Sequence, residues 1–252
     1  MIEFSNSLRR LVASLDNVRH RREEGLFKAE GTKCVADTIG AFRLKFLIAT
    51  DRWMSENPAL AGRVNCMCPN RELERISSLK TPQGVVAVYE LPSQQAPSLI
   101  EGQPALALDS IRDPGNLGTI MRVADWFGVR RIIASPDTVD CFSPKVVQAT
   151  MGAISRVEVC YTDLPEFLAG CGREVIGTFL GGDNMMSADM PCDAILVTGN
   201  EGRGISDEVA RVVTRRLTIP SYPPGEPTSE SLNAAVATSI SLALLRRPQL
   251  IP

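Results

Sequence analysis

The chain has 252 residues, 44 % apolar and 22 % charged, which suits one large or two smaller folded domains and excludes long disorder. Net charge is −2, so bulk charge announces no nucleic-acid partner. Residues 1–10 lack the apolar core of an export signal, and no apolar run approaches the ~20 residues that span a bilayer.

Residues 5–19 have helical spacing, with Leu8, Leu11, Val12 and Leu15 on one face. The arginines Arg9, Arg10, Arg19, Arg21 and Arg22 lie in and just after it, either as a phosphate-binding set or as a solvated helix face. They contribute to an uneven balance, 14 Lys and Arg against 11 Asp and Glu over residues 1–90 and 13 against 18 thereafter. A short apolar stretch starts at Phe27. The pattern then predicts a helix over 33–41, a strand over 45–50, a short helix over 71–78 and a buried strand over 85–89. Residues 93–104, rich in proline and polar residues, read as a linker between a domain of residues 1–92 and a second of residues 105–252.

After the linker, strands alternate with helices. Strands are expected at 105–109, 131–135, 157–161, 174–180, 194–198 and 216–219. Helices are expected at 117–127, 144–152, 164–169, 207–213 and 229–247, the last ending at Arg246 and Arg247 with Pro248 beyond. Such alternation implies an α/β domain with a mostly parallel sheet covered on both faces. Its ligands bind beyond the carboxyl ends of strands, here just after Asp109, Thr198 and Ile219. The seven cysteines, Cys34, Cys66, Cys68, Cys141, Cys160, Cys171 and Cys192, form no Cys-x-x-Cys pair, and the single histidine is His20. No metal site is expected, and free thiols suit a reducing cytoplasm.

Glycine and polar residues follow a strand in three places. After Asp109, a Pro-Gly-Asn turn opens a helix whose N-terminus offers unpaired N–H groups to an anion. Arg122 sits inside that helix, either facing a ligand or pairing with Asp125. After Thr198 comes Gly199-Asn-Glu201-Gly-Arg-Gly204, either a bare-backbone cradle for a flat ligand or a strand-to-helix turn capped by Ser206. Its spacing is not that of a dinucleotide fingerprint. After Ile219, a proline-rich loop leads to a helix start crowded by Thr228, Ser229 and Ser231, with Asn233 expected in the first turn. Capping accounts for one serine, not for a Ser-x-Asn pair followed by small alanines.

Together the three segments resemble the SpoU (TrmH-like) branch of the SPOUT methyltransferases. The first family motif matches Asn116-Leu-Gly118, Arg122, Ala124 and Phe127-Gly128. The second matches Gly199-Asn-Glu201-Gly-Arg-Gly204, and the third Ile219-Pro220 with Ser231-Leu232-Asn233 and the alanines after it. The stretches 21–31 and 81–88 resemble the family's accessory RNA-binding domain, which is similar to a small ribosomal protein. The Pro220–Ser231 loop departs from the family, with Ser-Tyr-Pro-Pro-Gly after Ile-Pro and a longer course.

The resemblance implies a sheet tied by a C-terminal trefoil knot, an exception to the rule against knotted chains. It implies methyl transfer from S-adenosylmethionine to a ribose 2′-hydroxyl of RNA, with rRNA favoured over tRNA, in a cytoplasmic homodimer without a membrane or metal. Asn116, Arg122, Glu201, Ser231 and Asn233 become the catalytic set. Thr178, Gly199, Asn200, Gly204, Ile219, Ser231 and Leu232 become the donor-binding set. The reaction needs alignment and removal of one proton. A guanidinium is a poor base, so Arg122 is read as binding a phosphate or the developing oxyanion. Asn116 would orient the ribose or Arg122, Ser231 and Asn233 would hold the target phosphate, and Glu201 would fix loop geometry. The alternatives are a non-catalytic RNA-binding paralogue and a tRNA methyltransferase of the same superfamily. The final helix, with Val236, Ile240, Leu244 and Leu245 apart from Leu242, carries more apolar surface than one covered face requires, as expected of a dimer.

Overall fold

The computed structural model describes residues 2–93 and 96–251, which divide into two compact units. Gln94 and Gln95 of the expected linker lie outside the described residues. The first unit comprises residues 1–93 and 140–155, the second residues 94–139 and 156–252.

In the first unit, Ser5 caps α1 (Asn6–Ser14) by accepting from the Leu8 amide at 3.2 Å, and Asn17 caps α2 (Val18–Glu24) by accepting from the Arg19 amide at 2.8 Å. That second cap divides the single helix expected over 5–19, because a side chain bonding the next turn's N–H starts a new helix. The chain continues through β1 (Leu26–Glu30), α3 (Thr32–Thr38), β2 (Leu44–Ala49), α4 (Asp51–Glu56), α5 (Pro58–Ala61), β3 (Cys66–Met67), α6 (Asn70–Glu74) and β4 (Val85–Glu90). The sheet order is β1-β4-β2-β3, with β4 antiparallel to both neighbours and β3 parallel to β2. Leu8, Val12 and Leu15 pack with Leu26, Ile48, Leu73, Ile76 and Val88.

In the second unit, β5 (Ala105–Leu108), α7 (Pro114–Trp126) and β6 (Arg131–Ala134) come first. The chain then returns to the first unit for α8 (Pro144–Ala149). The sequence reading placed 140–155 in the second domain, and in the structure these residues group with the first unit. Phe142 stacks within 4.7 Å of Phe27, Val146 and Val147 are buried, and the Asp140 carboxylate pairs with Arg21 at 2.6 Å. Back in the second unit are β7 (Glu158–Tyr161), α9 (Leu164–Gly170), β8 (Val175–Asn184), β9 (Ile195–Thr198), α10 (Asp207–Ala210), β10 (Arg215–Thr218) and α11 (Ala234–Leu250).

The second sheet runs β10-β8-β9-β5-β6-β7, and every neighbouring pair is parallel. All six carboxyl ends therefore lie along one edge. From β5 the sheet grows toward β6 and β7 on one side, and through β9 toward β8 and β10 on the other. The crevice between β5 and β9 is the switch point where α/β sheets hold ligands.

Two features of α11 differ from expectation. It starts at Ala234 rather than near Ser229, because Asn233 is its cap, with Oδ1 accepting from Ala235 and Val236 amides at 2.9 and 3.3 Å. It also continues through Pro248 to Leu250, with the Ile251 amide donating to the Arg247 carbonyl at 3.1 Å. Pro248 has no N–H to offer the Leu244 carbonyl, so the helix passes it with one hydrogen bond fewer.

Candidate active site

At the end of β5, Asp109 is buried and its Oδ2 accepts from the Ser206 amide at 2.7 Å. Asp113 then caps α7 by accepting from the Asn116 amide at 2.8 Å, and Pro114 occupies the first helical position, where its missing N–H is harmless. This fixes Asn116 in the first turn of α7, beside the loop that leaves β9.

That loop closes on itself, with Asn200 and Gly204 exchanging backbone hydrogen bonds of 2.9 Å each. A Cβ at position 199 would collide with the Gly204 carbonyl carbon and the Ile205 nitrogen, so glycine at 199 serves the loop's own closure. Gly204 adopts φ of +71°, the region favoured by glycine, and faces open space. Asn200 Oδ1 accepts from Gly202 and Arg203 amides at 3.0 and 3.1 Å, and its Nδ2 donates to the Ser110 carbonyl at 2.7 Å.

The three segments meet through side-chain amides. Asn233 Nδ2 donates to Asn116 Oδ1 at 2.9 Å, and Asn116 Nδ2 donates to Glu201 Oε1 at 2.7 Å. The other Glu201 oxygen accepts from Asn200 Nδ2 at 3.2 Å. Asn116, Glu201 and Asn233, all read from the sequence as catalytic, thus form one chain across α7, the β9 loop and the start of α11. Behind it, Thr198 and Thr238 hydroxyls bond at 2.9 Å, and buried Ala234 and Ala235 allow α11 its close approach to β9.

Arg122 is exposed on α7, and no group among the described residues holds its guanidinium. Asp125, the alternative partner, is instead gripped by Arg156 at 2.8 Å and Arg130 at 2.7 Å. Burial raises the Asp125 carboxyl, but these two arginines outweigh it and hold it below its ordinary value. Ser231 and Leu232 are exposed in the run of exposed residues 220–233. Of the donor-binding set, Thr178 donates to the Val197 carbonyl at 3.1 Å, and Ile219 is half-buried just past β10. Thr178 thus lies on β8, and Gly199 and Ile219 directly follow β9 and β10, the strands on either side of it.

The basic set divides. Arg10, Arg19 and Arg22 are exposed, although Arg19 pairs with Glu23, and Arg9 pairs with Glu72 at 3.3 Å. Arg21 is corrected from phosphate binder to structural residue. It is 2 % exposed, and its guanidinium is consumed by the Leu15 and Asp16 carbonyls and by Asp140. Sequence reasoning missed Ser110, Ser135 and Asp137, which support the β5 end. Their hydrogen bonds span 27 and 90 residues and leave no local pattern.

Comparison with known proteins decides the family. Residues 103–243 match the SpoU rRNA Methylase family, and residues 6–87 match the MRM3-like substrate binding domain. The chain belongs to the SpoU rRNA methylase family. Its α/β fold with a parallel sheet is that of SPOUT methyltransferases, and it is an RNA methyltransferase by this membership. It is 27 % identical to the 23S rRNA (guanosine(2553)-2′-O)-methyltransferase RlmP of Bacillus subtilis, over 92 % of this chain and 93 % of that protein. A TrmH-family structure from Porphyromonas gingivalis is 37 % identical, with a TM-score of 0.86 and coverage of 98 % of this chain and 99 % of that one. The AdoMet-bound rRNA methyltransferase structure from Sinorhizobium meliloti is 30 % identical, with a TM-score of 0.84 and coverage of 98 % of both chains. Of the residues that carry the SpoU resemblance, Asn116, Glu201 and Asn233 are the three that the structure joins by hydrogen bonds.

Proposed function

We propose that this SpoU protein transfers the methyl group of S-adenosylmethionine to a ribose 2′-hydroxyl of ribosomal RNA. The observation that carries the reading is the Asn233–Asn116–Glu201 chain, which joins the three signature segments within hydrogen-bond distance. The rRNA substrate is supported by what RlmP and the Sinorhizobium meliloti enzyme are named for.

The donor fits the edge formed by β10, β8 and β9. Gly204 leaves room for a flat adenosine, and Leu232, 45 % exposed, offers an apolar wall. Thr178, Gly199, Asn200, Ile219 and Ser231 complete this donor-binding set. When bound, the sulfonium supplies a methyl group attached to a good leaving group. The protein's own task is then alignment and charge. Asn116 is held at both ends of its amide, so its orientation is fixed before RNA arrives. Arg122, with an unengaged guanidinium, binds a backbone phosphate or the developing 2′-oxyanion. Ser231 and Asn233, both exposed just before α11, hold the target nucleotide's phosphate.

The same proposal includes the family's trefoil knot, a cytoplasmic setting and a homodimer. Trp126 on α7 is 85 % exposed and Val236 on α11 is 47 % exposed, while Leu242 and Leu245 fill the core. These two helices pack together, and a second copy covers their outer apolar groups. Sedimentation checks this part: a fully active species of one chain would remove the dimer.

The function is tested by ribose-methylation profiling of cellular RNA with and without the gene, alongside transfer of labelled methyl to purified ribosomal RNA. One rRNA ribose should lose its methyl in the deletion and regain it from purified protein. Loss confined to tRNA, or label recovered on a base, would overturn the substrate assignment.

A further inference from the structure

Ser110, the residue that leaves β5, has φ of +59°, a left-handed conformation that residues other than glycine seldom adopt. Such a residue persists only where its surroundings over-determine it. Here the Ser110 amide donates to Ser135 Oγ at 2.8 Å, and Ser110 Oγ donates to Asp137 Oδ2 at 2.7 Å. Asp137 is itself fixed by Ser135 Oγ at 2.7 Å and Arg112 at 3.2 Å. Burial raises its carboxyl, but these hydroxyl and guanidinium donors outweigh it and hold it below the usual carboxylate range. The outcome of the strain is the direction of one carbonyl, which accepts Asn200 Nδ2 at 2.7 Å.

We propose that Ser110 is a positioning residue for methyl transfer, pinned by Asp137 and Ser135 so that its carbonyl orients Asn200, which sets Glu201 and through it Asn116. The inference rests on the function proposed above. A carbonyl can only accept, so it forces Asn200 to present Nδ2 inward and Oδ1 toward the Gly202 and Arg203 amides. With Nδ2 inward, Asn200 also donates to Glu201 Oε2, and Glu201 Oε1 is left to take Asn116. If Ser110 relaxed to an extended conformation, its carbonyl would turn from Asn200, and Glu201 would no longer have a fixed donor on its second oxygen.

The test uses the full-length protein. Ser110→Gly keeps the left-handed backbone accessible but removes the hydroxyl anchor, and the milder Asp137→Asn removes one of its acceptor oxygens. Both should lower kcat by at least ~10-fold, toward the ~100-fold that small misplacements cost, with KM for RNA within about 2-fold. Ser110→Asn, whose side chain tolerates positive φ and can reach Asp137, should restore most of the rate. In an Asn200→Ala background, Ser110→Gly should cost less than about a further 2-fold, since coupled residues are not additive. Independently of turnover, Gly202 and Arg203 amides should exchange with deuterium faster in Ser110→Gly and Asp137→Asn. Unchanged exchange at those amides, or full additivity with Asn200→Ala, overturns the proposal. Absence of rRNA methyl transfer by the unaltered protein would overturn the functional reading instead, while the exchange arm still decides whether Ser110 positions the loop.

Discussion

In the first unit, Lys28 is fully enclosed on β1, its ammonium donating to the Ile76 carbonyl at 2.6 Å and pairing with Asp16 at 2.9 Å and Glu30 at 3.4 Å. Glu30 in turn accepts from the Ser77 hydroxyl and the Ser78 amide. Arg21 is consumed in the same way. In the second unit, the polar series that starts at Asp137 and Ser110 passes through Asn200, Glu201 and Asn116 and ends at Asn233, which is exposed, near exposed Ser231. Both regions bury polar groups with their hydrogen bonds made, as buried groups require. The first set closes on itself and so serves the fold. The second runs out to the surface with capacity left over, and that leftover capacity is what a ligand can use.

Arg122→Ala should break the open set at its functional end. Methyl transfer should fall by between about 100- and 1000-fold, with donor affinity within a few-fold, measured by single-turnover transfer and calorimetric titration. Retention of a tenth of the rate would take Arg122 out of catalysis. Lys28→Met should break the closed set instead, leaving Glu30 buried without its cation. Urea unfolding should show a loss of about 3 kcal/mol, while kcat of the folded protein is unchanged.

A smaller effect separates the arginines of the first unit. Replacing Arg10 and Arg22 by alanine should weaken RNA binding and reduce its salt dependence by about one unit of slope for each phosphate no longer neutralised. Arg21→Ala should lower Tm instead, through the Leu15 and Asp16 carbonyls and the half-buried Asp140 carboxylate it leaves without a partner. An Arg10/Arg22 variant with wild-type affinity would move the RNA elsewhere on the unit. The smallest expected change is at Asp125. Its folded-state carboxyl lies below the ordinary value of about 4, so its stabilisation is present above that value and lost as pH falls through the folded one. Asp125→Asn should therefore cost about 1 kcal/mol at neutral pH, and the Tm difference should close in acid. A variant as stable as the wild type at neutral pH would show that the ion pairs contribute nothing.

The elements that announced themselves in the sequence were those with long apolar periods, such as β4, β5, β9 and most of α7. α4, α5 and β3 were not legible, because residues 51–67 are short polar pieces positioned by caps, such as Thr50 accepting from the Trp53 amide at 3.2 Å. Asn116, Glu201 and Asn233 were legible as motif residues, but not as one hydrogen-bonded chain. Asn233 as helix cap and Gly199 as the key to loop closure are local packing facts that composition cannot state. Ser110 was invisible, since its conformation comes from partners far along the chain. The grouping of 140–155 with the first unit was not legible for the same kind of reason: Val146 and Val147 read as helix-forming in either unit, and only tertiary packing chooses.

The packing of 140–155 into the first unit has a consequence for how the chain is made. The first unit is not complete when residue 93 has been synthesised, because Phe142, Val146 and Val147 have yet to arrive. Chains fold as they emerge, usually amino-terminal domain first. Here the first unit must wait while β5, α7 and β6 are translated, and these three emerge without the β9 strand that will flank β5. Growth therefore passes through a stage in which both cores are partial at once. A gene fragment cut at residue 93 would freeze the first of them in that state.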